Sequence, residues 1–346
     1  MNFKNYLSLI TILLVALVSC KKSSTPTPTP PKPTSDVYVA GSIATATGKS
    51  VAAYWKNGVV TKLGTDSVNG SYARSIAVKN GDIYVVGLVN NPGNVGTAAY
   101  WKNGVLTKLD NSTGINSEAY GIAFQGNDVY IIGYKISDAG YLEGRYWKNG
   151  VPTILPSALS ASEAIAIKSD GTDIYIAGDT QYDKNNDWVA TYWKNGVSPT
   201  IVAGTAGKSS EIYSIDVSGI DVYMVGYTNG DISVGIPTYW KNGVATELTD
   251  GSSPAGAYGI GVNGSDVIIG GNTTYNGHSV ATYWKNGTAV RLGDGSVDSY
   301  AGKMAFDNGD TYIVGTSNGS PVFWKNGAMT TLAKKGNGAD IVVVPK

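Results

Sequence analysis

Short apolar runs recur along most of the chain, and turns rich in Gly, Asn and Asp separate them. One unit contains four such runs, at residues 75–78, 82–87, 98–104 and 105–109. Val, Ile, Tyr and Trp are frequent in these runs, and the runs lack the 3.6-residue period of an amphipathic helix. The pattern therefore predicts four short β-strands in each unit, which we label a, b, c and d in that order.

The tetrapeptide Trp-Lys-Asn-Gly marks each unit. Its seven copies start at Trp55, Trp101, Trp147, Trp193, Trp240, Trp284 and Trp324. Four strands in a unit of about 44 residues is typical of a β-propeller blade. The chain enters at a b-type run (36–41) and ends at an a-type run (340–344). We therefore predict an all-β, seven-bladed β-propeller of four-stranded antiparallel blades over residues 36–346, closed by the C-terminal strand joining the N-terminal blade.

The connections divide the predicted propeller into two unlike ends. Each c–d connection is Asn-Gly, which supplies the two positive φ angles of a type I′ hairpin. The a–b connections are also short and rich in Gly, Asn and Asp. The b–c and d–a connections are longer and differ from unit to unit. We therefore expect a hairpin end that is nearly the same in every blade and a loop-bearing end that carries the variation.

The N-terminal segment has the pattern of an export signal followed by a tether. Residues 1–19 contain Lys4 and then an apolar run that is too short to span a membrane comfortably. The run ends in Leu-Val-Ser-Cys at Cys20, which resembles the lipobox of bacterial lipoproteins and implies a lipidated Cys20. Residues 20–35 are rich in Thr and Pro and predict an extended spacer. We expect membrane attachment through the lipid and a location in the bacterial cell envelope, at the outer membrane.

The repeat itself resembles the HAF-type extracellular repeats of bacteria over residues 36–346. The residues that carry the resemblance in the first copies are Trp55, Gly58, Leu63, Ser71, Ala73, Ile76 and Gly87. The family often has Thr or Asp where this chain has the Lys and Asn of its tetrapeptide. The resemblance implies an exported β-propeller without a settled activity.

Charge and composition exclude several functional classes. The 26 basic and 26 acidic residues balance, which argues against a nucleic-acid partner. With one Cys and one His, we expect neither a Cys/His zinc site nor a cofactor, and we interpret His278 as a solvated loop residue. Asp183, Asn185 and Asp187 have a faint calcium-loop spacing. The loop's sixth and twelfth positions then hold Trp and Lys, so we predict no metal site.

The aromatic residues of the repeat are expected to form the core. A buried Trp removes about 200 Å² from water, so one Trp per blade suits packing between blades. The Tyr residues of strands b and c receive the same interpretation. We interpret the Lys of each tetrapeptide as a solvated charge and the Asp that opens each b strand as a turn acceptor.

A binding site should break the repeat, and the start of strand a varies in an informative way. The residues that we align at this position are Arg74, Tyr120, Glu163, Tyr213, Tyr258, Gly302 and Ala339. They are expected to surround the mouth of the central channel at the loop-bearing end. Trp188, outside the tetrapeptides, is a further contact candidate. The polar members and Trp188 suit a sugar or a peptide, although the same residues could simply fill the channel.

The sequence favours a non-catalytic module that recognises a glycan or a protein partner through Arg74, Tyr120, Glu163, Tyr213, Tyr258 and Trp188. No catalytic residue is predicted, since the sequence spacing pairs Glu163 with no second acid. The alternative is a glycan-active hydrolase or lyase that uses acids at the channel mouth. A second alternative is a structural spacer of the envelope. The sequence leaves open whether the chain is an enzyme.

Overall fold

The computed structural model describes residues 35–64, 69–110, 114–157, 161–181, 188–202, 209–228 and 235–346. The predicted signal peptide, Cys20 and the tether up to residue 34 lie outside these residues. The described residues form 28 strands, numbered β1 to β28 in chain order, in seven four-stranded sheets. The sheets are the blades of a seven-bladed β-propeller, which confirms the predicted fold. Within the described ranges no helix is long and apolar enough to cross a membrane.

Each blade contains four antiparallel strands in the order a, b, c, d from the channel outward. The a strands are β4 (Ser71–Lys79), β8 (Ser117–Gln125), β12 (Ser162–Ser169), β16 (Ser210–Ser218), β20 (Ala255–Asn263), β24 (Ser299–Asp307) and β28 (Gly336–Pro345). The b strands are β1 (Ser35–Ala44), β5 (Asp82–Asn90), β9 (Asp128–Ile136), β13 (Ile174–Gln181), β17 (Asp221–Thr228), β21 (Asp266–Tyr275) and β25 (Asp310–Ser317).

The outer two strands follow the same scheme. The c strands are β2 (Ser50–Lys56), β6 (Gly96–Lys102), β10 (Leu142–Lys148), β14 (Trp188–Lys194), β18 (Ile236–Lys241), β22 (His278–Lys285) and β26 (Ser320–Lys325). The d strands are β3 (Val59–Lys62), β7 (Val105–Lys108), β11 (Val151–Ile154), β15 (Thr200–Ile201), β19 (Val244–Glu247), β23 (Thr288–Arg291) and β27 (Ala328–Thr331). We number the blades 1 to 7 in the order of their b strands, so blade 1 contains β28 and β1 to β3.

The C-terminal strand closes the ring as predicted. Strand β28 pairs antiparallel with β1 and completes blade 1. The Asp340 carboxylate accepts hydrogen bonds from the Ser75 hydroxyl at 2.5 Å and from the Ile76 backbone N–H at 3.2 Å, both in blade 2. The Lys303 ammonium of blade 7 lies 3.6 Å from the same carboxylate. One carboxylate therefore joins the last strand to the blades on both sides.

The Trp-Lys-Asn-Gly turn is held by a repeated polar cluster. In blade 2, Asn103 and Gly104 have φ angles of 51° and 84°, as a type I′ turn requires. Asp82 accepts a hydrogen bond from the Asn103 side chain and lies 2.8 Å from the Lys102 ammonium. The same Lys–Asp pair occurs in all seven blades. These lysines are about half exposed, as a solvated hairpin charge should be, and each is in addition paired with an Asp at the start of strand b.

The seven repeated Trp side chains are buried, as expected of core residues. None of them is more than 1% exposed. Trp101 of blade 2 packs against Ala40 and Ala52 of blade 1, and Trp147 of blade 3 packs against Val86 of blade 2. Each of these Trp residues therefore joins its own blade to the preceding one.

Every a strand contains a β-bulge opposite a glycine of strand b. In blade 2 the pairing skips Arg74, and Gly87 lies opposite Ala73. A Cβ on Gly87 would overlap the carbonyl of Tyr72, so this position needs glycine. A bulge redirects the side chain of the extra residue. The bulged residues are Arg74, Tyr120, Ile165, Tyr213, Tyr258 and Ala339, while blade 7 skips both Gly302 and Lys303.

Two expectations about the loop-bearing end need correction. In blade 4 the bulged residue is Ile165, so the alignment of Glu163 with Arg74 and Tyr120 is wrong by two residues. In blades 6 and 7 the b–c connection is a two-residue Asn-Gly turn rather than a long loop. His278 therefore opens strand β22, and its Nδ1 lies 3.2 Å from Asp298 rather than in a free loop.

Candidate functional site

A cavity of about 480 Å³ lies at the loop-bearing end, where blades 3, 4 and 5 meet. Its lining residues are Tyr120, Leu142, Glu163, Ile165, Asp179, Trp188, Glu211 and Tyr213. Four of the six binding residues proposed from the sequence, Tyr120, Glu163, Trp188 and Tyr213, are therefore brought together. Arg74 and Tyr258 are outside this lining.

Three glutamates occupy the same structural position in three consecutive blades. Glu118, Glu163 and Glu211 each lie two residues before the bulged residue of their a strand. Each follows a serine whose hydroxyl accepts a backbone N–H from the c strand of the preceding blade. These contacts are Ala98 to Ser117 at 3.0 Å, Gly144 to Ser162 at 3.1 Å and Ala190 to Ser210 at 2.9 Å. The repeat therefore sets the three carboxyl groups at one height around the channel mouth.

Blade 4 adds a second acid directly opposite its glutamate. Glu163 of β12 and Asp179 of β13 are paired across the two strands, and Asp179 is only 4% exposed. Directly opposite residues share a face of the sheet, and like charges at such positions repel. The same pair of positions in the other blades holds at most one carboxylate. These pairs are Tyr72–Leu88, Glu118–Tyr134, Glu211–Tyr227, Gly256–Asn272, Tyr300–Thr316 and Asn337–Ser42.

The environment of this acid pair favours its protonated forms. Burial raises the pKa of Asp179 well above the usual range, and the charges of Glu211 and Glu163 raise it further. Burial also raises the pKa of Glu163, with added repulsion from Glu118 and Glu211. A carboxyl group that keeps its proton in a cavity can act as a general acid.

Each cavity carboxylate has a fixed hydrogen-bond donor. The backbone N–H of Ile212 donates to Asp179 Oδ1 at 3.1 Å. The Tyr213 hydroxyl donates to Glu211, and the Tyr120 hydroxyl donates to Glu163. The donors to Asp179 and Glu163 lie on strands of neighbouring blades, and the donor to Glu211 lies two residues further along its own strand. These bonds hold the carboxyl groups in place before a ligand enters.

The cation at the mouth is paired within the protein. Arg74 Nε lies 2.5 Å from Glu118 Oε1, and the guanidinium carbon is 5.8 Å from the Tyr72 ring and 5.9 Å from the Tyr120 ring. The charges of Glu118 and Arg74 thus compensate each other locally. Burial raises the pKa of the adjacent Tyr134 to about 12, so its hydroxyl remains neutral at ordinary pH.

Tyr258 belongs to an aromatic wall beside the cavity. Its ring centroid is 6.2 Å from that of Tyr213, which in turn lies 5.5 Å from Tyr227. The Tyr258 hydroxyl donates to Asn272 Oδ1 at 2.9 Å. Gly256 leaves the space that this ring occupies, since a Cβ there would overlap the Tyr258 hydroxyl.

The remaining candidates give no second site. A cavity of about 370 Å³ lies along the channel, but its Lys168 pairs with Asp216 at 2.7 Å and its Lys303 with Asp340. Over the ranges that the structure describes, no group of three or more His, Cys, Asp or Glu residues could hold a metal ion. The weak calcium pattern at residues 183–187 lies outside those ranges.

Sequence reasoning missed Glu118, Asp179 and Glu211 as members of one site. The signal for two of them was the Ser-Glu dipeptide, which recurs at Ser117, Ser162 and Ser210 in successive units. Asp179 directly follows the recurrent b-strand glycine, but only the strand register places it opposite Glu163.

The comparisons with known proteins find structures and no sequence relatives. No family model and no curated protein matches the chain. A puromycin-hydrolyzing peptidase of Mycobacterium tuberculosis is 10% identical with a TM-score of 0.54, over 86% of this chain and 51% of that chain. A puromycin hydrolase is 10% identical with a TM-score of 0.59, over 87% of this chain and 52% of that chain. The chain spans about half the length of these proteins, and the likeness shows the fold alone.

The sequence-based preference for a non-catalytic recognition module is contradicted by these comparisons. The two solved structures reported above are those of hydrolysing enzymes and not of binding modules. The opposed acids at the mouth agree with that correction, because the absence of a recognisable acid pair was the reason for preferring a binding module.

Proposed function

We propose that the chain is a hydrolase that cleaves a glycan in the cavity between blades 3, 4 and 5. The observation that carries the proposal is the pairing of Glu163 with Asp179 across two strands, beside Glu211. Glycoside hydrolysis commonly needs one carboxyl group that holds a proton and one carboxylate that is ionised. The site offers both kinds of group within one cavity.

The proposed division of roles follows from the surroundings of each acid. Glu163 donates its proton to the leaving glycosidic oxygen as the bond from that oxygen to the anomeric carbon breaks. Burial and the charges of Glu118 and Glu211 keep the proton on Glu163, and Asp179 lies opposite it on the neighbouring strand. Glu211, fixed by the Tyr213 hydroxyl, takes the proton of the water that adds to the anomeric carbon. The products are two shorter glycans, and one water is consumed.

The walls of the cavity suit a sugar chain. Tyr120, Tyr213 and Trp188 line the same space as the acids. Aromatic rings stack on the apolar faces of sugar rings, while hydroxyl and carboxyl groups bond to their polar edges. The cavity volume of about 480 Å³ is in the usual range for small-ligand sites.

Hydrolysis is favoured over elimination by a lyase because of charge. A lyase removes a proton next to a substrate carboxylate, and a positive group must neutralise that carboxylate. Within the described lining of the cavity there is no Lys or Arg, and Arg74 is paired with Glu118. The lyase half of the alternative is therefore not proposed.

The test compares the release of new reducing ends by the purified protein and three variants on a panel of neutral and amino-sugar oligosaccharides. E163Q is expected to lose at least 100-fold in kcat, as removal of a general acid typically does. D179N is expected to lower kcat as well. The matched control is E247Q, at an exposed glutamate of β19, which should keep full activity. A wild-type protein that cleaves nothing on the panel, or an E163Q variant as active as E247Q, would refute the proposal.

We further propose that the enzyme is attached to the outer membrane of a bacterial cell envelope through a lipid on Cys20. The support is the sequence of residues 1–35 alone. Mass spectrometry of the purified membrane fraction is expected to find an acylated Cys20 as the first residue. A soluble, unmodified protein in wild-type cells would contradict the attachment.

A further inference from the structure

The charge of the catalytic cavity points to its substrate class. We infer, on the basis of the proposed function, that the cavity selects an amine-bearing glycan, such as a glucosamine oligomer, over the acetylated and the acidic equivalents. The inference depends on three features of the described lining: the acids, the missing counter-cation and the aromatic walls.

The acids leave an uncompensated negative charge in the cavity. Glu163, Asp179 and Glu211 all line it, and its described lining contains no Lys or Arg beside these three acids. Their donors are the backbone N–H of Ile212 and two tyrosine hydroxyls, which are neutral groups. An ammonium group on the substrate would supply the missing positive charge.

The guanidinium beside the Tyr120 ring cannot take this role. Arg74 is held at 2.5 Å from Glu118, which belongs to the next blade and lies outside the cavity lining. Its guanidinium is also within 6 Å of the Tyr72 and Tyr120 rings, a distance at which rings attract cations. An acidic glycan would therefore meet carboxylates without a free guanidinium to bind it, and we expect its exclusion.

The aromatic walls favour the same class of ligand. Trp188, Tyr120 and Tyr213 can stack on sugar rings, and their faces also attract an ammonium group. A neutral glycan would use the stacking alone. An amine-bearing glycan would gain both the stacking and the electrostatic attraction.

The test measures the binding of three oligosaccharides of equal length to the purified protein: a glucosamine oligomer, its N-acetylated form and a galacturonate oligomer. The first two differ only in charge and the acetyl group. We expect the glucosamine oligomer to bind at least tenfold more tightly than the acetylated form, and the galacturonate oligomer not to bind. We also expect this preference to fall several-fold in high salt, because screening weakens charge attraction.

The E211Q variant tests the origin of the preference, with E247Q as the matched control. E211Q is expected to lose most of the preference, while E247Q keeps it. Equal binding of the two glucosamine forms, tighter binding of galacturonate, or a preference that neither salt nor E211Q reduces would overturn the inference. The salt series on the wild-type protein keeps the inference testable if E211Q fails to fold.

The two proposals fail in different ways. Selective binding of the glucosamine oligomer without cleavage would refute the hydrolase and leave the substrate class standing. Cleavage of both glucosamine forms at equal rates with equal affinities would refute the substrate class and leave the hydrolase standing.

Discussion

Removing one acid of the Glu163–Asp179 pair is expected to stabilise the folded protein at neutral pH. Directly opposite residues of an antiparallel pair have Cβ atoms about 5 Å apart. Two unit charges at that distance repel by about 3 kcal/mol at an effective dielectric constant of about 20. The folded protein must therefore carry this repulsion or keep a proton that the unfolded chain would release. We expect E163Q to raise the free energy of unfolding at pH 7 by about 1–3 kcal/mol.

The stability gain of E163Q should depend on pH in a definite direction. Burial and neighbouring acids raise the pKa of Glu163 and Asp179 in the folded state. The folded protein then binds more protons than the unfolded chain above the unfolded pKa of about 4, so its stability falls as pH rises from there. The gain from E163Q should therefore be present at pH 7 and nearly absent at pH 4.

The assay is urea unfolding at both pH values, followed by the fluorescence of the buried Trp residues. Wild-type protein, E163Q, D179N and the control E247Q are compared. The turn aspartates, such as Asp82, have lowered pKa values and add the opposite pH dependence, but they are common to all four proteins and cancel in the differences. An E163Q protein that is no more stable than wild type at pH 7, or that gains as much stability at pH 4 as at pH 7, would show that the two acids do not repel in the folded state.

Two further changes test the scaffold. D340N should lower the free energy of unfolding by about 2–4 kcal/mol, because it removes a buried, hydrogen-bonded carboxylate that joins three blades. The control D298N, at the exposed contact with His278, should change the free energy of unfolding little. G87A should lower the thermal midpoint far more than G302A. A Cβ at position 87 overlaps a backbone carbonyl, and one at position 302 meets only an ordinary contact. Calorimetry of the four variants checks both expectations, and equal midpoints within either pair would contradict them.

The fold was predictable because each blade repeats the same local chemistry. The Asn-Gly dipeptide at Asn103 favours a type I′ hairpin, and the distance along the sequence from Trp101 to Trp147 is the length of one blade. Closure followed from the a-type run at the C-terminus, which pairs with β1 as expected. These features depend on residues close together in the sequence, so they can be recognised in the sequence without a structure.

The candidate site was only partly predictable because it depends on register across strands. The pattern grouped Tyr120, Tyr213 and Trp188 near one mouth, and all three line the cavity. The sequence pattern aligned Glu163 with the bulged residues of the other blades, where the structure has Ile165. Both residues fit an alternating pattern, and only the bulge distinguishes them. The pattern could not place Asp179 opposite Glu163, since the turn between their strands allows more than one register.

The pH dependence of glycan cleavage by the wild-type protein tests most sharply whether the acid pair is catalytic. We expect release of new reducing ends from an amine-bearing oligosaccharide, with kcat falling as pH rises through the raised pKa of the Glu163–Asp179 pair. We also expect this alkaline fall to be absent from the residual activity of E163Q. If the protein releases no reducing ends at any pH, or if the wild-type rate rises steadily with pH, the acid pair is not the catalytic centre.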